Sequence, residues 1–430
     1  MKINTQIHYS FGLFNALSLS VLVLFLAGCK TSPEPAQAPA SPSPNTPGAI
    51  VCHTPGSPAL RLLGEQRWPL DTQWAGVPIG GLSSIDYDPA NDSYHLVSDD
   101  RSAKDSARWY QARIRYDASG LQQVSITHQH YLQTPSGTPY PSNRTATADT
   151  AVPDPEALRL LPGGRSVVWS SEGDFARGFG PSLQQAGLDG NWQKTWPLPA
   201  LLQGPLQPET GRGPRNNMTL EGIAISEGQR SLWLSMEGAL RQDGPLPRRG
   251  QIGGPLRITQ YDLASQQPVR QIAYIPDALP KDNLLLPLIA INGVSEILAD
   301  GPNHLLVLER AYVLGAGFSA RLYRINTQEA SDTLAIDALN DAAYTPAHKE
   351  LLLDFAQLGL RSVDNLEGMT WGPRLASGER VLLLVSDNNF NPAQVTQFLA
   401  LVETPACTTA SVNASGNPSG SAGQSHRNLN

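Results

Sequence analysis

Asn365-Leu366-Glu367-Gly368-Met369-Thr370-Trp371 is answered by Leu382-Leu383-Leu384-Val385-Ser386-Asp387-Asn388-Asn389-Phe390. An acidic opening turn is thus followed by an apolar, strand-like run that ends in a second carboxylate. The same arrangement recurs along the chain. Thr219-Leu220-Glu221-Gly222-Ile223 precedes Leu232-Trp233-Leu234-Ser235-Met236-Glu237-Gly238, and Asp154-Pro155-Glu156-Ala157-Leu158 precedes Val167-Val168-Trp169-Ser170-Ser171-Glu172-Gly173. Two looser copies open on Gly81-Leu82-Ser83-Ser84-Ile85 and Gly293-Val294-Ser295-Glu296-Ile297. Their answering runs are Leu96-Val97-Ser98-Asp99-Asp100-Arg101 and Leu305-Leu306-Val307-Leu308-Glu309-Arg310.

Glu156 to Glu221 is 65 residues, Glu221 to Glu296 is 75 and Glu296 to Glu367 is 71. A repeat of that length is too long for a solenoid turn but holds a four-stranded antiparallel sheet with long loops, which is one propeller blade. The reading is an all-β chain: a single β-propeller of five or six four-stranded blades, closed by pairing of its N- and C-terminal strands. Five motifs give five blades, and Lys349 to Gln357 would mark a sixth. Strand-like runs at Trp109 to Tyr116, Val124 to His130, Leu256 to Tyr261 and Val269 to Ile275 fill the repeats, and Leu60 to Leu70 is placed to complete the last blade. Helix is expected to be slight, with Ile336 to Ala343 the best candidate, because 38 Gly and 36 Pro suit strands and turns.

Residues 1–28 carry one formal charge, Lys2, and an apolar run that leads into Leu26-Ala27-Gly28-Cys29. This reads as a secretory signal with a lipobox, cleaved before Cys29, whose thiol is then acylated. The run is shorter than the ~20 residues a bilayer span needs and lacks a charged flank. Lys30 beside the cysteine favours the outer membrane, with the protein facing either periplasm or cell surface. Residues 29–58, rich in Pro, Ala and Ser, read as an extended tether. The propeller is expected over 59–407, and 408–430, rich in Ser, Gly and Asn, as a disordered tail.

Without Lys2 the chain has 30 basic and 38 acidic residues, a formal net charge of −8. That argues against a nucleic-acid partner, which needs a basic face. Of the 3 cysteines, Cys29 is assigned to the anchor, and Cys52 and Cys407 bracket the repeats. In an exporting compartment they can form a disulfide holding the ring shut, or remain two free thiols.

The stretches from about Gly80 to Val402 resemble the family known for esterase-like activity of phytase, the phytase-like domain. Gly293 to Leu298 with Leu306 to Arg310, Asn365 to Gly368 with Ser386 to Phe390 and Gln397-Phe398, and Gly80 to Asp86 with Ser98 to Arg101 carry the likeness. The resemblance implies an exported β-propeller that hydrolyses an ester or phosphate ester. Fold analogy alone does not fix an activity.

In a propeller the inner strands line a channel, so Glu156, Glu221, Glu296 and Glu367 are expected near one mouth, with Asp99, Asp100, Glu172, Glu237, Glu309 and Asp387 from the adjacent strand ends. Crowded carboxylates raise one another's pKa or require a cation. Hard oxygen ligands select Ca²⁺. Glu156, Glu237, Glu296, Glu309 and Asp387 are the expected metal ligands. Glu221, Glu367, Arg101 and Arg310 are the expected catalytic set, positioning water and stabilising developing negative charge, and Asp99, Asp100, Asn388 and Asn389 the substrate contacts. The competing reading is that the carboxylates cap backbone amides or pair with Arg101, Arg159 and Arg310, holding blades in register. No Gly-x-Ser-x-Gly elbow or His-Glu-x-x-His pair is present. The expected partner is a small-molecule ester or phosphate ester, with membrane contact through the lipid anchor only and a monomeric state. The alternatives are a non-catalytic binding module for a surface partner or glycan, and a lactonase-like propeller with one central calcium.

Overall fold

Val381–Asp387 is buried along its whole length, as an apolar run must be when neighbouring sheets cover both its faces. The computed structural model describes residues 59–280 and 290–405, and within them the chain forms five four-stranded antiparallel sheets. Each is a blade, and in the first four the strands follow chain order from the inside out. Blade 1 is Leu82–Asp88, Ser93–Ser98, Arg108–Asp117 and Gly120–Tyr131. Blade 2 is Pro155–Leu160, Ser166–Ser171, Ser182–Gly187 and Trp192–Trp196. Blade 3 is Leu220–Ile225, Ser231–Met236, Leu256–Asp262 and Gln267–Tyr274. Blade 4 is Ala290–Ala299, His304–Val313, Gly317–Asn326 and Lys349–Asp354.

Blade 5 has only three strands of its own, Asn365–Gly372, Val381–Asp387 and Thr396–Glu403. Leu60–Trp68 supplies the fourth, pairing Leu60 with Glu403 and Trp68 with Thr396. The ring is therefore closed by the two ends of the chain, as the sequence predicts. Lys349–Asp354 is the outer strand of blade 4, paired with the strand before it, so the count is five.

The core lies between blades. Leu366, Leu382, Leu384 and Leu401 of blade 5 meet Leu306, Leu308 and Leu322 of blade 4, while Val97 and Trp109 of blade 1 meet Leu158 and Trp169 of blade 2. Full burial of each such side chain contributes about 1.5–3 kcal/mol.

The expected helix at Ile336 to Ala343 is absent; the stretch is an irregular loop. Its backbone is satisfied from outside. Arg257, fully buried and paired through two nitrogens with Asp243 at 2.6 and 2.8 Å, donates to the Ile336 carbonyl at 3.0 Å, and the Leu339 amide donates to Asp243 at 2.8 Å. A tertiary donor and a tertiary acceptor thus take the place of i→i−4 partners a helix would have supplied. The expected signal, tether and tail, with Cys29, Cys52 and Cys407, lie outside the described residues.

Candidate functional site

In every blade the pairing of the first and second strands slips at the same place, between Leu82 and Ser84, Pro155 and Leu158, Leu220 and Ile223, Val294 and Glu296, and Leu366 and Gly368. Such a bulge re-aims the unpaired side chain. The first re-aimed residue is Ser83, Glu156, Glu221, Ser295 and Glu367 in turn. Directly across, the residues paired with the position just before each bulge are Ser98, Ser171, Met236, Glu309 and Ser386. The residues that follow are Asp99, Glu172, Glu237, Arg310 and Asp387. Five-fold repetition thus carries two rings of side chains to one mouth. They hold seven carboxylates, two serines and one guanidinium.

The side chains converge. Carboxylate oxygens of Asp99, Glu156 and Glu367 lie within 4.8 Å of one another, as do those of Asp154, Glu156 and Glu172, and those of Glu172, Glu221 and Glu237. Arg310 Nη2 is 3.0 Å from Glu367 and 3.4 Å from Glu237. At the rim Arg101, 40% exposed at its side chain, reaches Asp154 at 2.7 Å. Glu367 and Asp387 share the amide of Asn365, at 2.8 and 3.1 Å. Glu172 accepts from the Thr219 amide. By contrast Asp99, Glu156 and Glu221 accept no hydrogen bond at their carboxylates from any protein group among the described residues, although Glu156 is 7% and Glu221 5% exposed.

Two unit charges 4.8 Å apart repel by roughly 3–4 kcal/mol at an effective dielectric near 20, so the ring cannot ionise fully by itself. Burial, then neighbouring carboxylates, holds Asp99, Glu156, Glu172 and Glu221 well above the usual range. Burial pushes Asp387 to about 8 with Glu367 adding to it, and lifts Asp154 and Glu237 to about 7 against the pull of Arg101 and Arg310. Burial alone would lower Arg310, but Glu237, Glu367, Glu221 and Asp387 outweigh it and raise its pKa.

The backbone around the mouth is strained at equivalent points. Arg101 and Ser102 (φ 52° and 54°) and Asn389 and Phe390 (φ 48° each) are consecutive left-handed pairs just past Asp99 and Asp387. Non-glycine residues in this region cost of order 1–3 kcal/mol each and cluster at functional sites. Gly81, at φ 62°, is required: a Cβ there would sit 2.2 Å from Asp99 Oδ1.

Two expected ligands lie elsewhere. In blade 4 the residue equivalent to Glu367 is Ser295, so Glu296 is one position out of phase and turns into the channel beneath the ring. There it meets Arg159 at 2.6 Å and accepts from the Ile297 and Ile223 amides. Equivalent positions hold Ser84, Ala157, Gly222 and Gly368, small enough to admit it; a Cβ on Gly222 would lie 2.7 Å from Glu296 Oε1. Glu309 is out of phase likewise, because Arg310 occupies the ring position. It is saturated by Tyr274 Oη (2.6 Å), Lys349 Nζ (2.8 Å), Asn292 Nδ2 (3.0 Å) and the Asp277 amide (3.1 Å).

Among the expected substrate contacts, Asp99 is in the ring. Asp100 is buried against Arg108 and caps the Ala103 amide. Asn388 accepts from the Gly81 and Phe390 amides, at 3.2 and 3.0 Å. Exposed Asn389 donates its amide to Asp387 at 2.6 Å. Sequence reasoning passed over Asp154, although it stands in the quoted Asp154-Pro155-Glu156 motif, and left Glu172 out of the ligand set.

Buried oxygens at the seam of blades 1 and 5 bear on what the ring can hold. Among the described residues Glu367 Oε2, Ser83 Oγ and Asn365 Oδ1 make no hydrogen bond of good geometry, although the Ser83 hydroxyl lies close enough to the Glu367 carboxylate to act on it. Glu367 accepts from Asn365 and Arg310 at one oxygen, and its second oxygen and the Asn365 carbonyl oxygen, beside the donor-free carboxylates of Asp99 and Glu156, fit a hard cation that takes six to eight oxygens.

Solved structures similar to this chain include an endo-1,4-β-xylanase from Bacteroides thetaiotaomicron VPI-5482, 9% identical, covering 76% of this chain and 97% of its own, with TM-score 0.39. A protein of unknown function from Dyadobacter fermentans DSM 18053 is 9% identical over 81% of this chain and 100% of its own, with TM-score 0.35. No curated protein matches in sequence. A family model described as esterase-like activity of phytase matches residues 77–390, the span that contains all five bulges and both rings, and the chain belongs to that phytase-like family.

Proposed function

We propose that this propeller is a calcium-dependent hydrolase of a phosphate ester or related small ester, with its reaction centre in the carboxylate ring. Membership of the phytase-like family supports a hydrolase-type propeller. The observation that carries the reading is the set Asp99, Glu156 and Glu221, buried or nearly so, without protein donors and within 4.8 Å of further carboxylates. Asp99, Glu156 and Glu367, with Asn365 and Ser83 beside them, would hold one Ca²⁺, and Glu172, Glu221 and Glu237 offer a second set of oxygens.

Bound calcium would neutralise a phosphate or polarise a carbonyl. The remaining roles fall to the chain itself. Glu221 is free of protein donors and positions water for attack. Arg310 is fixed between Glu237 and Glu367, and Arg101 stands half-exposed at the rim; both meet negative charge as it develops. The Arg159–Glu296 pair fills the channel beneath, so substrate enters from one face. Export through the signal at residues 1–28, acylation at Cys29, an outer-membrane location and a Cys52 to Cys407 bridge belong to the same proposal.

The test is thermal unfolding of the protein in EDTA and in added Ca²⁺, with hydrolysis of p-nitrophenyl phosphate and p-nitrophenyl acetate under both conditions. Calcium-raised melting with calcium-dependent turnover is the expected result. Stabilisation without turnover of either ester would move the reading to a binding module, and no response to calcium would remove the metal.

A further inference from the structure

The segment leading into blade 3 and the loop between that blade's second and third strands both emerge on the mouth face, and each carries an arginine that holds the other. Arg215 donates from Nε to the Ala239 carbonyl at 3.0 Å and from Nη2 to Gly244 at 2.8 Å. Arg241, inside that loop, donates from Nη1 to the carbonyls of Arg212 (3.2 Å) and Pro214. Ala239 is two residues past Glu237, so this pair borders the ring.

Both guanidiniums are half-buried, and neither has a carboxylate within ion-pair distance among the described residues. Nearby acids are committed: Asp243 to Arg257 and Asp337 to Arg212. Glu209 acts on Arg241 only from longer range. Burial, and then each other's charge in the case of Arg215, works against both groups. Backbone carbonyls fix their planes but do not neutralise them. Arg215 Nη1 and Arg241 Nε and Nη2 are left without a protein acceptor among the described residues. Two oriented guanidiniums without a counter-charge among the described residues, near enough for Arg241 to act on Arg215, match a phosphate or carboxylate, the oxyanions that guanidinium forks bind.

We propose that Arg215 and Arg241 form an oxyanion subsite on the rim, selecting esters that carry a second anionic group besides the one at the ring. The proposal rests on the mouth being the substrate site, but the subsite needs no metal. That separates the two experimentally.

The probe is inorganic pyrophosphate, titrated calorimetrically into the full chain in EDTA at low ionic strength. Binding is expected in the wild type, with affinity lowered about tenfold in Arg215→Gln and in Arg241→Gln, the loss typical of one charge-assisted contact. Arg241→Lys, which keeps the charge but not the fork, should fall between and guards against loop collapse in the glutamine variants. Arg380→Gln, on the opposite face, should bind as wild type. Absence of pyrophosphate binding in EDTA, or equal affinity in wild type and both glutamine variants, overturns the subsite whether or not calcium stabilises the protein.

Discussion

The guanidinium of Arg159 and the carboxylate of Glu296 lie 2.6 Å apart on the propeller axis, and together they touch all five blades. Arg159 comes from blade 2 and Glu296 from blade 4. Arg159 donates to Ile85 O of blade 1 (2.7 Å) and Met369 O of blade 5 (3.2 Å), and Glu296 accepts from Ile223 N of blade 3 (3.2 Å). Glu296 remains the partner that lowers the cost of burying Arg159, while burial itself lifts the Glu296 carboxyl to about 7.

Removing one member of such a pair leaves an uncompensated buried charge, at a cost of about 3–5 kcal/mol. Glu296→Gln is therefore expected to lower unfolding free energy by that order in urea titration. The double variant Arg159→Met/Glu296→Leu should recover part of the loss. If Glu296→Gln unfolds within about 0.5 kcal/mol of wild type, the scale of an ordinary surface change, the pair does not hold the ring together.

The repeats made the fold legible, because each blade restates one alternation and one opening motif, and the closing strand at Leu60–Trp68 followed from the missing fourth strand of blade 5. The site was legible only to within one residue. Glu156, Glu221, Glu237, Glu367, Asp99 and Asp387 reach the mouth, whereas Glu296 and Glu309 do not, because blade 4 bulges at Ser295 and places Arg310 where other blades place an acid. Spacing between glutamates does not reveal where a bulge falls, and with a side-chain period of two a single step reverses the face. Asp100 and Glu309 look like Asp99 and Glu237 in sequence. Their partners, Arg108 and Lys349, come from other strands that only the folded sheet brings near.

The Cys52 to Cys407 bridge of the proposal has a direct test. The Thr404 amide donates to Ala59 O at 2.8 Å, and the two cysteines lie outside the described residues, seven before Ala59 and three after Thr404 in sequence. Reduction of an exported sample should lower its melting temperature, with a stability loss of about 2–5 kcal/mol. Two titratable thiols in the unreduced, unfolded protein would rule the bridge out.

Ring members and saturated neighbours should respond differently to calcium. Glu156→Gln and Glu221→Gln remove carboxylates that take no protein donor, so the rise in melting temperature on adding Ca²⁺ should shrink markedly. Their stability in EDTA should hold or improve as repulsion eases. Glu309→Gln loses its ion pair to Lys349 and weakens its bonds to Tyr274 and Asn292. It should destabilise the protein in EDTA while leaving the calcium-induced rise intact. Equal calcium responses in all three variants would place the cation outside the ring.

The pH profile separates a bare ring from a filled one. In the bare protein Asp154 and Glu237 titrate at about 7 and Asp387 at about 8, against 3.8 and 4.5 for free carboxyls, with burial the main cause. Between about pH 4 and 8 the folded chain therefore holds protons that the unfolded chain has released. Stability is full below the unfolded values and is lost as pH rises through the folded ones. Displacing Asp154 alone from 3.8 to about 7 corresponds to roughly 4 kcal/mol, and the coupled set titrates together rather than as a sum. In EDTA the melting temperature should fall steadily from pH 5 to 8. Saturating Ca²⁺ binds the deprotonated ring, so the curve should flatten and the calcium-induced rise should grow with pH. A melting temperature in EDTA that climbs over the same interval would mean that the ring carboxylates are already ionised and balanced by Arg101 and Arg310, with no place left for a cation to stabilise.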